Sequence, residues 1–175
     1  TGALMHGPVV HVYVNEGLYW RPVQTITSPD SVFITADGLE ARYYDIVERS
    51  SLPTSWSLPQ VGGTQKEFAV YKGITGGSFA PIASGGGPLT SPPGESDTFA
   101  ARWTGQINST IAQSVTFFLG SDDGSKLFID GVEAINNDGL HGFSTLSNMV
   151  SLTAGTHAIE VRFFENFGGA GIRLD

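Results

Sequence analysis

The chain has 175 residues, 40% hydrophobic and 15% charged, enough for one domain with a sizeable core. Its net charge of −8 argues against nucleic acid and anionic membrane as partners, because both are gripped by clustered Lys and Arg. The lack of Cys excludes disulfides, a thiolate zinc site and a cysteine nucleophile, and no run approaches the ~18 apolar residues of a membrane-spanning helix. The opening Thr1-Gly2-Ala3-Leu4-Met5 has neither an initiator Met nor a basic-then-apolar leader, so a piece of a longer protein is expected.

Gly (23) and Pro (9) punctuate the whole length, and no long run of helical period is present. Short β-branched and aromatic runs between turn signals predict an all-β sandwich or barrel. The first runs from Val9 to Val14, followed by Val32 to Thr35 and Leu39 to Tyr44. From Ser50 to Ser96 the chain is loop-rich, with Gly62-Gly63, Gly76-Gly77, Gly85-Gly86-Gly87 and Pro92-Pro93-Gly94. A stretch that long is either a functional loop region or holds irregular strands. Regular strands follow at Phe99 to Ile107, Val115 to Leu119, Lys126 to Ile129, Val132 to Ile135, Met149 to Leu152, His157 to Phe164 and Ile172 to Leu174. Asp130-Gly131 is a two-residue hairpin signal, since both positions need positive φ. Asn136-Asn137-Asp138-Gly139 opens a polar loop. In the His157 run, His157, Ile159, Val161 and Phe163 alternate with Ala158, Glu160, Arg162 and Phe164, the period of a strand.

Asp122-Asp123 is the sharpest chemical feature. Adjacent side chains of an ordinary strand-turn point apart, so two neighbouring carboxylates share a cation only through unusual backbone, such as a cis peptide. Oxygen ligands select a hard ion, and Ca²⁺ takes about 6–8 of them. The rest of such a shell would come from Asn166 to Gly171, whose glycines expose carbonyls. The plain alternative is that Ser-Asp-Asp-Gly is a turn with solvated carboxylates.

Several segments together resemble the PA14 domain. These are Phe99 to Ile107, Thr116 to Val132, Asn136 to Gly142 and Leu152 to Gly171, with Gly38 to Asp45 similar to the family's opening strand. The resemblance implies an all-β antiparallel sandwich of PA14 type with long connecting loops over residues 37–175. Residues 1–36 are then an N-terminal extension, either an added edge strand or a linker. Such domains occur in adhesins, glycosidases, toxins and yeast flocculins. In the lectin branch a cis-linked Asp pair and a later loop hold one Ca²⁺, and vicinal hydroxyls of a terminal sugar replace its water. Carried over, the metal set is Asp122, Asp123, Asn166, Phe167, Gly168 and Gly169, and the sugar set is Asp122, Asp123, Asn137, His141, Phe167 and Gly168. The implied function is a calcium-dependent carbohydrate-binding module of a larger secreted or cell-surface adhesin, with cell-surface glycans or polysaccharides as partners. The alternative is a structural or protein-docking module that binds no sugar, in a surface protein, toxin or glycosidase.

Each of these residues has a second reading. Asn136, Asn137 and Asp138 form a turn sequence, and His141 is also a loop-packing residue. Phe167 either packs on a sugar face or covers the sandwich edge. Glu165 either orients the metal loop by hydrogen bonding or is a solvated edge charge. Trp103, Phe117, Phe118, Phe128, Phe163 and Phe164 are read as core. His6, His11, His141 and His157 lack metal-ligand spacing and are read as structural or surface. Gly85-Gly86-Gly87 lacks the Lys-Ser/Thr of a phosphate loop, and Gly76 to Ala80 lacks the last glycine of a nucleophile elbow. Catalysis is not expected. A glycosidase needs two carboxyls about 5–10 Å apart, one protonated, whereas a cation holds both members of an Asp pair ionised.

Overall fold

The computed structural model describes residues 10–15, 20–26, 32–67, 70–75, 78–80 and 97–175. His6 and the glycine runs at 76–77 and 85–87 lie outside them, as does Pro92-Pro93-Gly94. Among the described residues there is no helix, and no helix long and apolar enough to cross a membrane. The strands are β1 (Val10–Asn15), β2 (Trp20–Ile26), β3 (Val32–Ile34), β4 (Leu39–Asp45), β5 (Gln60–Glu67), β6 (Tyr71–Thr75) and β7 (Ser78–Ala80). They continue as β8 (Phe99–Ser109), β9 (Gln113–Asp122), β10 (Ser125–Ile129), β11 (Val132–Asn137), β12 (Ser144–Leu152), β13 (Gly155–Glu165) and β14 (Gly171–Leu174).

One sheet runs β11-β10-β13-β8-β4-β5, with β3 also paired to β8; the other runs β12-β9-β14-β6-β7. All these pairings are antiparallel. The loop-rich middle therefore contains β5, β6 and β7. β1 and β2 pair with each other in a two-stranded sheet. β3, inside the segment expected to precede the domain, pairs with the long strand β8 through Val32↔Ser109.

Period-two alternation sets the core. Along β13, His157, Ile159, Val161 and Phe163 are buried while Ala158 is exposed. Ile159, Val161 and Phe163 share one core cluster with Trp103 and Ile107 of β8, Leu127 of β10, and Phe117, Leu119, Ile172 and Leu174 of the facing sheet. Burying Trp103 and Tyr43 leaves two polar groups to satisfy, and Glu67 satisfies both. Its Oε1 accepts from the Tyr43 hydroxyl at 2.9 Å and its Oε2 from Trp103 Nε1 at 2.8 Å. Desolvation, and then the Glu67 charge, raise the Tyr43 hydroxyl well above its ordinary pKa.

Phe118 departs from the expected core set. Between buried Phe117 and Leu119 it takes the opposite face of β9 and is 42% exposed. Phe128 is half-buried, with the Arg162 guanidinium 4.3 Å from its ring centre. Phe164 is buried on the outer face of its sheet, in a second cluster with Tyr44, Ile46, Leu52 and Ala100. The segment 46–59 closes over that cluster, placing Trp56 edge-on to Tyr44 at 5.4 Å.

The Asp130-Gly131 turn has φ of +50° and +79°, the geometry of a two-residue hairpin between β10 and β11. β11 runs through Asn136 and Asn137, so the polar loop begins two residues later than the sequence suggested.

Candidate functional site

Register brings the ends of four strands to one edge of the sandwich. β9 ends at Asp122, β10 begins at Ser125 opposite Phe163, and β13 ends at Glu165 opposite Phe99, where β8 begins. The turn 122–124, the loop 138–143 and the loop 166–170 all leave from this edge. The peptide joining Asp122 to Asp123 is cis. Gly124 fits the turn because it has no side chain: a Cβ there would stand 2.7 Å from the Gly139 nitrogen and collide with the Phe164 ring.

One oxygen from each of Asp122, Asp123 and Glu165 falls in a cluster whose members all lie within 4.8 Å of one another. Asp123 is buried and ties both loops together. Its Oδ1 accepts from the His141 N–H and its Oδ2 from the Asn166 N–H, each at 3.0 Å. Glu165 is fully buried; its Oε2 accepts from the Asp123 N–H at 3.1 Å, and its Oε1 has no hydrogen-bond partner. Burial, followed by the charges of Asp123 and Asp122, pushes the Glu165 carboxyl up to about 8. Burial and the Asp123 charge also raise Asp122. Three crowded carboxyls, one presenting a buried unpartnered oxygen, are a donor set suited to a hard divalent cation.

The loop after β13 approaches from the other side. A Cβ at Gly169 would lie 3.2 Å from Asp122 Oδ2, so the loop backbone packs against that carboxylate. The Gly168 N–H donates to Asp97 Oδ1 at 2.9 Å. Asn166 is buried; its Oδ1 accepts from the Arg49 N–H and its carbonyl from the Thr98 N–H, each at 3.0 Å. Phe167 is 59% exposed beside the acids, so it does not cover the sandwich edge.

The polar loop divides. The His141 main chain belongs to the site, while its ring nitrogens lie 3.0 Å from the Gly142 and Asn137 carbonyls. Asn137 is turned inward: its buried amide donates to Ser121 Oγ at 3.1 Å and to the Ser144 carbonyl at 3.0 Å, which removes it from the ligand-facing surface. Asp138 braces the loop, accepting from the Leu52 N–H at 2.7 Å and from the Gly139 N–H. Asn136 is exposed and donates to Glu133. Three groups escaped the sequence reading: Glu165 as a third clustered carboxyl, Asp97 as the anchor of Gly168, and Leu140 and Phe143 as exposed apolar residues flanking the acids. His157 serves structure, with Nδ1 2.7 Å from Asp130 Oδ2.

Fold and site together define an antiparallel β-sandwich domain with an acidic cluster between two loops at one edge. The PA14 domain model matches residues 87–174, and the chain belongs to that family. A sugar-binding PA14 domain from an RTX adhesin superposes with a TM-score of 0.62 at 18% identity, covering 80% of this chain and 89% of that one. The PA14 domain of the antifreeze protein MpAFP gives 0.58 at 18% identity, covering 87% of each. In sequence, the anti-sigma-I factor RsgI3 of Acetivibrio thermocellus is 29% identical over 79 residues, 45% of this chain but 12% of that protein. An alpha-agarase of Thalassotalea agarivorans is 39% identical over 57 residues, 33% of this chain and 4% of the enzyme. The chain thus spans a small fraction of the curated relatives it matches.

Proposed function

We propose that this domain is a calcium-dependent lectin module of a larger secreted or cell-surface adhesin, binding terminal sugars of cell-surface glycans or polysaccharides through vicinal hydroxyls. The observation that carries the reading is the convergence of the Asp122, Asp123 and Glu165 carboxyls at a loop edge flanked by exposed Phe167. The fold shared with a sugar-binding PA14 domain of an RTX adhesin supports it.

Asp122 and Asp123 supply the carboxylates that hold the ion, with Glu165 beneath them. Asn166 and the carbonyls of Phe167, Gly168 and Gly169 complete the oxygen set. The Asn166 oxygens already accept one hydrogen bond each, which leaves each a second lone pair. Hydroxyl-to-protein hydrogen bonds add little net free energy, because the sugar gives up equivalent bonds to water. Bound Ca²⁺ supplies coordination places where paired hydroxyls replace water. The His141 and Gly168 main chain shape the mouth, and Phe167 offers an apolar surface to the sugar ring. A binding role, not a catalytic one, suits acids that a cation keeps ionised.

Binding to an array of immobilised glycans, measured with calcium and with a chelator, tests the reading. Calcium-dependent signal on a subset of glycans is expected, and Asp122→Ala should reduce it to background while the melting temperature in chelator stays within a few degrees. Asp122 is a cleaner target than Asp123, which also anchors two main-chain N–H groups. No binding with calcium present, or binding unchanged by chelator, contradicts the proposal.

A further inference from the structure

The outer face of the β12-β9-β14 sheet carries a groove of about 460 Å³ lined by Phe118, Gly120, Phe143, Thr145, Arg173 and Asp175. Its construction follows from register. Thr145 of β12, Gly120 of β9 and Arg173 of β14 stand side by side across the sheet. Along β9, Phe118, Gly120 and Asp122 are two residues apart and so share one face. Asp122 of the acidic cluster is the next residue along that face, just outside the groove lining. Gly120 is buried beneath the Thr145 and Phe143 side chains, which pack close over it: a Cβ there would lie 2.7 Å from Thr145 Oγ1 and 2.9 Å from the tip of the Phe143 ring. The Phe143 N–H also donates to the Asp122 carboxylate, so the residue that walls the groove borders the acidic cluster as well.

We infer that this groove is a second saccharide subsite, occupied by the next ring or rings of a glycan whose terminal sugar sits at the acidic cluster. The inference rests on the lectin reading and extends it from a terminal sugar to a chain. Phe118 and Phe143 are 42% and 56% exposed, two aromatic faces on a surface otherwise rich in Ser and Thr. A pyranose ring matches such a wall, its C–H face packing on an aromatic ring while its equatorial hydroxyls point sideways. The paired Arg173 and Asp175 side chains supply donor and acceptor atoms for those hydroxyls. The volume falls in the range of small-ligand sites. Phe143 lines the groove while its main chain touches Asp122, so the two places are adjacent and one glycan chain can reach from the mouth into the groove, which favours a glycan over a peptide.

Calorimetry in calcium with D-glucose, D-galactose, D-mannose and L-fucose, and with linear di- and trisaccharides of each, tests the inference. At least one oligosaccharide should bind about tenfold more tightly than its own terminal monosaccharide. Phe118→Ala, and separately Thr145→Trp to fill the groove, should erase that advantage while the monosaccharide affinity stays within about twofold. Oligosaccharides that bind no better than monosaccharides overturn the subsite and leave the lectin reading standing. So does equal weakening of both by Phe118→Ala, if Thr145→Trp spares both. Absence of calcium-dependent binding across the whole panel overturns the lectin reading, and the subsite with it.

Discussion

At the scale of single residues, three buried side-chain polar atoms among the described residues lack a hydrogen-bond partner, Thr35 Oγ1, Trp56 Nε1 and Glu165 Oε1, and of these the Glu165 oxygen alone lies in the acidic cluster. Glu67 receives two buried donors and completes the core. Glu165 receives one N–H and leaves an oxygen directed at two other acids, an arrangement that makes sense around a cation. Its position was within reach of the sequence. Extending the inward series His157, Ile159, Val161 and Phe163 by one more step lands on Glu165, and the same alternation puts Phe118 outside. Away from the site, His157 and Asp130 form a second titrating pair. The Asp130 hydrogen bond, then that of the Thr153 carbonyl, raises the His157 pKa, and the His157 bond lowers Asp130. A raised imidazole stabilises the fold in full below its unfolded value of about 6.5 and loses that contribution as pH rises through the folded value. A lowered carboxyl stabilises in full above its unfolded value of about 3.9 and loses it as pH falls through the folded value. The pair therefore contributes most between about pH 4 and 6.5. Asp130 is half-exposed, so solvent screening keeps the ionic part under about 1 kcal/mol. Asp130→Asn, followed by urea denaturation, should cost more at pH 5.5 than at pH 8.5; an equal cost at both would show the ionic pairing to be idle.

Among the elements, the long strands β8 and β13 were legible because their alternation is sustained and bounded by turn signals. The Asp130-Gly131 hairpin was legible because its turn demands two residues that tolerate positive φ. The segment 46–59 was not, since it forms no strand and its contacts come from far along the chain. It nevertheless supports the site from behind. Arg49 donates its N–H to Asn166, Leu52 donates its N–H to Asp138, and Leu52 and Trp56 cover Phe164. The end of β9, the turn after it and the end of β13 supply the acids, and the two loops and this strap hold them in place. Gly124 is the tightest joint of that assembly, between the Phe164 ring and the Gly139 main chain. Gly124→Ala should cost about 1–3 kcal/mol by overpacking and weaken calcium binding without touching a ligand. A thermal melt and a calcium titration of the variant check this, and wild-type values in both would show that the joint yields freely.

Taken as a whole, the molecule keeps its apolar core apart from its acidic cluster. The two sheets enclose an apolar core whose largest side chains, Trp103, Tyr43, Phe99, Phe117 and Phe163, lie on strands. The candidate ligands lie at strand ends and loops, where a negative cluster can be held without disturbing that core. The negative overall charge adds a field that draws cations toward such an edge. The Asp pair was readable because two adjacent acids before a glycine at a strand end are chemically conspicuous. The burial of Asn137 and the roles of Asp97 and Thr98 were not, because they depend on which loop faces which. The most direct test is calorimetric titration of the domain with calcium, in wild type and Asp122→Ala. A single saturable site in wild type that vanishes in the variant is the result predicted here. Absence of saturable binding, or binding indifferent to the substitution, would contradict the claim that these clustered acids hold a cation.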